Sequence, residues 1–394
     1  MMARSGVGPP ATPTPTEATG GSGAQGALSA LRVLTVLTPR ERFAPGEAGA
    51  IALLVRRMAD SAETVVGLPP VGQSFAGVRF VPVVPVFRPF SRIQRYAAGV
   101  ARVARSVRPD LIEVHNRPDV ALALRKACPG LPIVLVLHND PCGMKRARTA
   151  AEREHLGQAV AVVAVSEWVR GRFISQGVTS CVRVLPNSLD LSALPPPAEQ
   201  RDPVLLFAGR IVADKGADAF VAACARILPR HAGWRAEMIG ADRFGPDSPE
   251  TPFLNALRPQ AEQAGVVLRG YQPHEAVLQA MSRAAVVAVP SRWPEPFGMA
   301  ALEAMGCGAA VVASHRGGLP DVVGDAGLYA DPDEPDDLAD VLERLITSPA
   351  LRAETGQAGR ARARLFDAGP MWEKRRLLHE DIVREWRWKG LFRA

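Results

Sequence analysis

The chain has 394 residues, 47% hydrophobic and 22% charged, with a net charge of +7. This is ordinary globular composition, and the length suggests two domains of typical size. Its five cysteines, Cys128, Cys142, Cys181, Cys224 and Cys307, are scattered and form no CxxC pair. That argues against a disulfide framework or a zinc site and fits a reducing cytosol. The charge is unevenly shared: residues 1–195 carry +10, residues 196–350 carry −8 and residues 351–394 carry +5.

Residues 1–30, rich in Pro, Gly, Thr and Ala, lack the apolar core of a signal peptide and are expected to be disordered. No apolar run approaches the ~18 residues needed to span a bilayer, so a soluble or peripherally bound protein is expected. From residue 31 short β-branched runs alternate with longer helical patterns: 31–37, 63–68, 78–84, 111–115, 133–138, 161–166 and 182–187. Most are apolar throughout, the pattern of parallel strands covered on both faces. Between them, Ile93, Tyr96, Val100, Val103 and Val107 recur at helical spacing and predict a helix over 91–107. The stretch "LPPPAEQ" (194–200) reads as a linker. The rhythm then restarts with runs at 204–209, 235–240, 266–270, 285–291, 309–314 and 327–330. Each half reads as a doubly wound α/β domain, and two such domains face each other across a cleft. Ligands bind such sheets beyond the carboxyl ends of the strands.

Several constellations fall there. In "FAPGEAGAIALLVRRMA" (43–59), Gly46 and Gly49 flank a helix start without forming a G-x-G-x-x-G fingerprint, a weak signal for a phosphate-approaching turn. His138 ends the buried run "IVLVLHND", a cleft position, although a core histidine bonded to backbone carries the same pattern. His115, in "EVHNRPD", raises the same question more weakly. In "LLFAGRIVADKGADAF" (205–220), Arg210 and Lys215 stand at a strand–helix turn. A planar guanidinium fork and an ammonium point charge there suit a diphosphate. In "SRWPEPFGMAALEAMGCG" (291–308), Pro294 and Pro296 keep Glu295 out of a helix. The helix can begin only near Gly298. The amides of Phe297, Gly298 and Met299 are then free donors at its positive end, a natural anion site. Glu303 lies about a turn and a half inside that helix. An exposed glutamate on a capped core helix is the plainer reading of Glu303 alone.

These residues resemble a family, the retaining GT-B glycosyltransferases of family 4. "EPFGMAALEAMGCG" resembles its E-x7-E signature, "FAGRIVADKG" its G-R-x4-K-G, "VLPNSLDL" (184–191) its N-G-x-D strand end, and residues 314–346 its closing segment. The resemblance runs in order over roughly residues 31–350. Ser188 replaces the usual Gly after Asn187, "AGA" (48–50) stands where Gly-Gly is common, and Asp321 replaces a commoner Glu.

The resemblance implies an α/β GT-B architecture of two Rossmann-like domains facing across a cleft. The first, acceptor-side domain would span 31–195 and the second, nucleotide-sugar-binding domain 196–370. Residues 371–394 would form a helix crossing back to the first. It implies roles as well. Arg210 and Lys215 would neutralise the donor diphosphate, and Glu303 would bind the ribose hydroxyls. Glu295 would hold sugar hydroxyls with the amides of Phe297, Gly298 and Met299. His138 would face the sugar, and Gly49 would lie near the diphosphate in the closed state. The implied donor is a nucleotide-sugar, a UDP-sugar ahead of a GDP-sugar, with no cofactor and no metal, because the cations do a metal's work. The implied acceptor is a sugar or a lipid-linked glycan, and no nucleic acid is expected. The alternatives are an epimerase or phosphorylase on this fold, a glycoside hydrolase, or a sugar-nucleotide-binding protein without transfer. The basic first lobe and tail, with Trp386, Trp388 and Phe392 as anchors, suggest an anionic membrane surface on the cytoplasmic face.

Overall fold

The structure is a computed structural model, and it describes residues 31–84, 91–242 and 250–391. The expectation for residues 1–30 and the anchor assigned to Phe392 lie outside the described residues. The apolar runs of the first half become β1 (Val33–Val36), β2 (Thr64–Gly67), β3 (Arg79–Pro82), β4 (Leu111–His115), β5 (Ile133–Leu137), β6 (Ala161–Ala164) and β7 (Val182–Val184). They form one sheet in the order β3-β2-β1-β4-β5-β6-β7, and every pairing in it is parallel.

The second half gives β8 (Asp202–Ala208), β9 (Arg235–Ile239), β10 (Val266–Leu268), β11 (Ala284–Val289), β12 (Ala310–Ala313) and β13 (Leu328–Tyr329). Its sheet order is β10-β9-β8-β11-β12-β13, again parallel. In both sheets the order reverses beside the first strand, between β1 and β4 and between β8 and β11. A crevice opens at such a reversal, outside the strand ends, because the flanking connections leave toward opposite faces.

Most strands are shorter than the apolar runs that announce them, although β4 matches its run and β8 begins two residues before its own. β7 stops at Val184 instead of 187, ahead of Pro186, and β13 keeps only two residues. The helix expected over 91–107 spans Arg92–Val107 and is capped by Ser91, whose hydroxyl accepts from Gln94 N while the Gln94 side chain accepts from Ser91 N. It buries Tyr96, Ala97, Val100, Ala101 and Ala104, so small residues take part of the face the larger ones marked.

The chain returns to its first half at the end. Leu189 N donates to Phe366 O and Ala368 N to Leu189 O, at 2.9 and 3.0 Å. The last helix, Ala368–Leu391, then lies against the first sheet. Its Arg375 donates to the carbonyl of Met58 at 3.2 Å and to the buried carboxylates of Glu63 and Glu113.

Candidate functional site

Five loops converge on the two order reversals. They follow β1, β4 and β5 in the first sheet and β8 and β11 in the second. After β8 a short turn, Ala213–Lys215, leads into the helix Ala217–Ile227. Gly216 joins them at φ +69°, and a Cβ there would meet the Pro290 carbonyl oxygen at 1.9 Å. Only glycine fits, and this tight packing on the end of β11 brings Lys215 up to the loop after β11.

That loop is held along its length. Trp293 N donates to Asp214 O at 2.8 Å and Gly318 N to Glu295 O at 2.6 Å. From the other lobe, Ser166 Oγ donates to Pro296 O at 2.6 Å and Trp168 N to Asp321 Oδ2 at 3.1 Å. Glu295, flanked by its prolines, therefore sits on a fixed backbone. Its carboxylate pairs directly with the Lys215 ammonium, and the two side chains are 15% and 22% exposed. Arg210, on the same turn as Lys215, is exposed.

The helix after Glu295 spans Met299–Gly306, with Gly298 at φ +105° as its N-cap and no side chain capping it. Among the described residues no group accepts from the amides of Phe297, Gly298 or Met299. Half-buried Glu303, further along, accepts from His274 Nε2 at 3.0 Å. That hydrogen bond holds the imidazolium of His274 above its usual range. The Arg57 guanidinium, reaching from the first lobe and donating to Ser188 O, lies close enough to Glu303 and Asp190 to be stabilised by both charges; burial nevertheless pulls its pKa down.

Across the cleft, Gly49 is the N-cap of the helix Ala50–Met58. The Glu41 carboxylate turns back onto that helix start, with Oε1 accepting from Ala52 N at 3.3 Å. A Cβ on Gly49 would approach the same oxygen to 2.6 Å. Glu41 Oε2 is buried without a hydrogen bond, and burial pushes the carboxyl above its usual range. The protein's own carboxylate thus caps this helix start.

His138 follows β5. Its backbone N donates to Asn116 Oδ1 at 3.0 Å, and its ring Nε2 lies 2.9 Å from His115 Nδ1. Its Nδ1 is buried without a hydrogen bond, with the Asn187 side chain close to the ring. Burial, and then His115, push the His138 imidazolium down to about 3, so the ring is neutral.

The structure thus brings Lys215, Glu295 and the amides of Phe297, Gly298 and Met299 together. Glu303 sits one helical step away, Arg210 on the rim, and Gly49 and His138 on the opposite lobe. Sequence reasoning missed Glu41, Arg57, Ser166 and His274, each of which acts through a partner more than ten residues away in the chain. His115, given as the weaker histidine, is the ring that holds His138.

The sequence profile described as Glycosyl transferases group 1 matches residues 195–362, and that described as Glycosyltransferase Family 4 matches residues 34–193. D-inositol 3-phosphate glycosyltransferase from Actinosynnema mirum is 30% identical over 345 residues, which are 76% of this chain and 82% of that one. The chain belongs to glycosyltransferase family 4. The D-inositol 3-phosphate glycosyltransferase of Corynebacterium jeikeium is 31% identical over 224 residues, so this family 4 member spans 52% of that relative's length. Among solved structures, Anabaena Alr3699/HepE in complex with UDP-glucose superposes with a TM-score of 0.66, at 20% identity, over 87% of this chain and 97% of that one. At that identity the likeness is one of fold, and the fold is GT-B.

Proposed function

We propose that this family 4 glycosyltransferase transfers a sugar from a nucleotide-sugar to a sugar or lipid-linked glycan acceptor with retention of anomeric configuration and without a metal. The observation that carries the reading is the meeting of Lys215, Glu295 and a helix start with open amides at the sheet reversal. A diphosphate needs cations and N–H donors, and a sugar needs a fixed hydroxyl acceptor; this corner offers both. Arg210 and Lys215 stabilise charge on the departing diphosphate, the work a divalent ion would otherwise do. Glu295, fixed by its prolines and by Gly318, holds the sugar. The departing oxygen takes the acceptor's proton on the same face, through an oxocarbenium-like state. Glu303 binds the nucleoside, with His274 and Arg57 setting its charge environment. The complex of HepE with UDP-glucose supports a UDP-sugar ahead of a GDP-sugar.

The experiment is thermal unfolding with a panel of UDP-, GDP-, ADP- and dTDP-sugars. A donor at 100 times its dissociation constant adds about 2.7 kcal/mol to stability, and no shift with any of them would overturn the reading.

For the acceptor side we propose a site of action at an anionic membrane surface. No helix among the described residues is long and apolar enough to cross a membrane. Trp388 is 64% exposed on the last helix, and the Trp386 ring lies under the Arg125 guanidinium at 4.4 Å. Co-sedimentation with anionic but not neutral vesicles, weakened as salt shortens the Debye length from ~10 to ~3 Å, supports it. Equal binding to both removes it.

A further inference from the structure

Beneath the cleft on the first lobe lies a run of buried polar groups that the reaction just described does not use. It starts on the last helix. Arg375 donates from Nη1 and Nη2 to Glu63 at 2.9 and 2.8 Å, and from Nη2 to Glu113 Oε1 at 2.7 Å. His379 Nε2, one turn on, lies 2.7 Å from Glu113 Oε2. Glu113 in turn meets His115 Nε2 at 2.9 Å, and His115 Nδ1 meets His138 Nε2 at 2.9 Å. Glu113, His115, Arg375 and His379 are all buried, between 1% and 7% exposed. The run ends at His138 Nδ1, buried and with no partner in hydrogen-bond geometry, the Asn187 side chain lying close to the ring.

The protons along this run can be assigned from one end. Arg375 and His379 hold the Glu113 carboxyl well below its usual range, so it is ionised and only accepts. His115 must then donate to it from Nε2. With a single proton on its ring, His115 so engaged has a bare Nδ1, and the 2.9 Å contact then places the shared proton on His138 Nε2; a second proton on His115 would reverse that bond. His138 has one proton to place, and its Nδ1 is left as a lone pair. Asn116, at φ +55°, fixes the backbone of the same residue through its side chain. The ring is therefore held at both its backbone and its far nitrogen.

We propose that His115 is a positioning residue: anchored on Glu113, it accepts the Nε2 proton of His138 and fixes His138 as a hydrogen-bond acceptor at Nδ1 for a hydroxyl of the bound sugar. The hydroxyl rests on the transferase reading; the tautomer does not. An acceptor at Nδ1 selects a ligand group that can donate. It favours a hydroxyl-bearing sugar over one with an ether or a carboxylate at that position. The last helix becomes part of the device, because Arg375 and His379 keep Glu113 charged and His115 facing outward from it.

The test has two arms. Long-range proton–nitrogen correlation spectra of 15N-histidine-labelled, ligand-free protein, assigned with His115→Gln and His138→Gln, read the tautomers directly. The expected result is a neutral His138 protonated at Nε2, and a His138 protonated at Nδ1 overturns the proposal. In the kinetic arm, His115→Phe removes the acceptor. It should lower kcat by roughly tenfold, the loss of one buried hydrogen bond. Free nucleoside diphosphate affinity should stay within about twofold. His115→Gln, whose amide oxygen can accept from His138 Nε2, should recover most of the loss. Unchanged kcat in a folded His115→Phe protein overturns the proposal, as does equal loss in both variants. Should His115→Phe fail to fold, the wild-type spectrum decides alone. A protein that transfers no sugar from any donor yet shows His138 protonated at Nε2 would sink the transferase reading and leave the positioning of His138 by His115 standing.

Discussion

Replacing Glu295 by Gln should tighten the binding of free UDP while lowering turnover. The Glu295 carboxylate is paired with Lys215, and both side chains are mostly shielded from water. Two unit charges ~4 Å apart at an effective dielectric of ~20 attract by about 4 kcal/mol. Desolvation and side-chain ordering offset much of that, and exposed pairs net only about 0–1 kcal/mol. A pair shielded to this degree should retain about 1–2 kcal/mol, which a diphosphate must displace to engage Lys215. Glu295→Gln keeps the shape and removes the competition. Free UDP, which has no sugar for Glu295 to hold, should then bind roughly tenfold more tightly, the equivalent of about 1.4 kcal/mol. Lys215→Ala should weaken it by at least as much. Isothermal titration calorimetry on the three proteins is the assay, with the sugar donor's kcat measured alongside. Weaker UDP binding by Glu295→Gln would refute the reasoning, because Glu295 would then be holding the nucleotide and not restraining its lysine.

Three further outcomes are expected. Glu303→Ala should weaken free nucleotide by roughly tenfold in the same titrations, the cost of leaving hydroxyl donors unpaired, while His274→Ala costs less because its imidazole is largely exposed. Arg375→Met leaves Glu63 and Glu113 buried without their cation and should cost about 3–5 kcal/mol in urea unfolding; a cost under about 1 kcal/mol would mean that the carboxylates find other partners. His138 titrates near 3 when folded against about 6.5 when unfolded. Its contribution is therefore complete above about pH 6.5 and is lost as the pH falls from there toward 3, because the unfolded chain takes the proton first. The acid limb of the stability profile should be shallower in His138→Gln.

The two-lobe architecture was legible because buried parallel strands leave uninterrupted apolar runs such as "IVLVL" and "AVVAV", and because Pro294, Pro296 and Gly298 are backbone instructions that act locally. Glu295 could be placed on a stiff loop before a helix from those residues alone. Its partner could not, since Lys215 is eighty positions away and meets it only because Gly216 packs on the end of β11. Glu113 looked like one polar residue in an apolar strand; its meaning comes from Arg375 and His379 on the last helix. The carboxylate that turns onto the helix start at Gly49 was invisible for the same reason. Glu41 belongs to a loop whose path is set by long-range packing, not by any periodic pattern.

The most direct test of the account is a transfer reaction followed by proton NMR, using the donor that stabilises the protein most together with sugar and lipid-linked acceptors. The account predicts release of the nucleoside diphosphate at the rate of product formation, unaffected by a metal chelator, with the α-linked donor giving an α-linked product. An inverted anomer, or a donor that binds tightly and is never turned over with any acceptor, would contradict it.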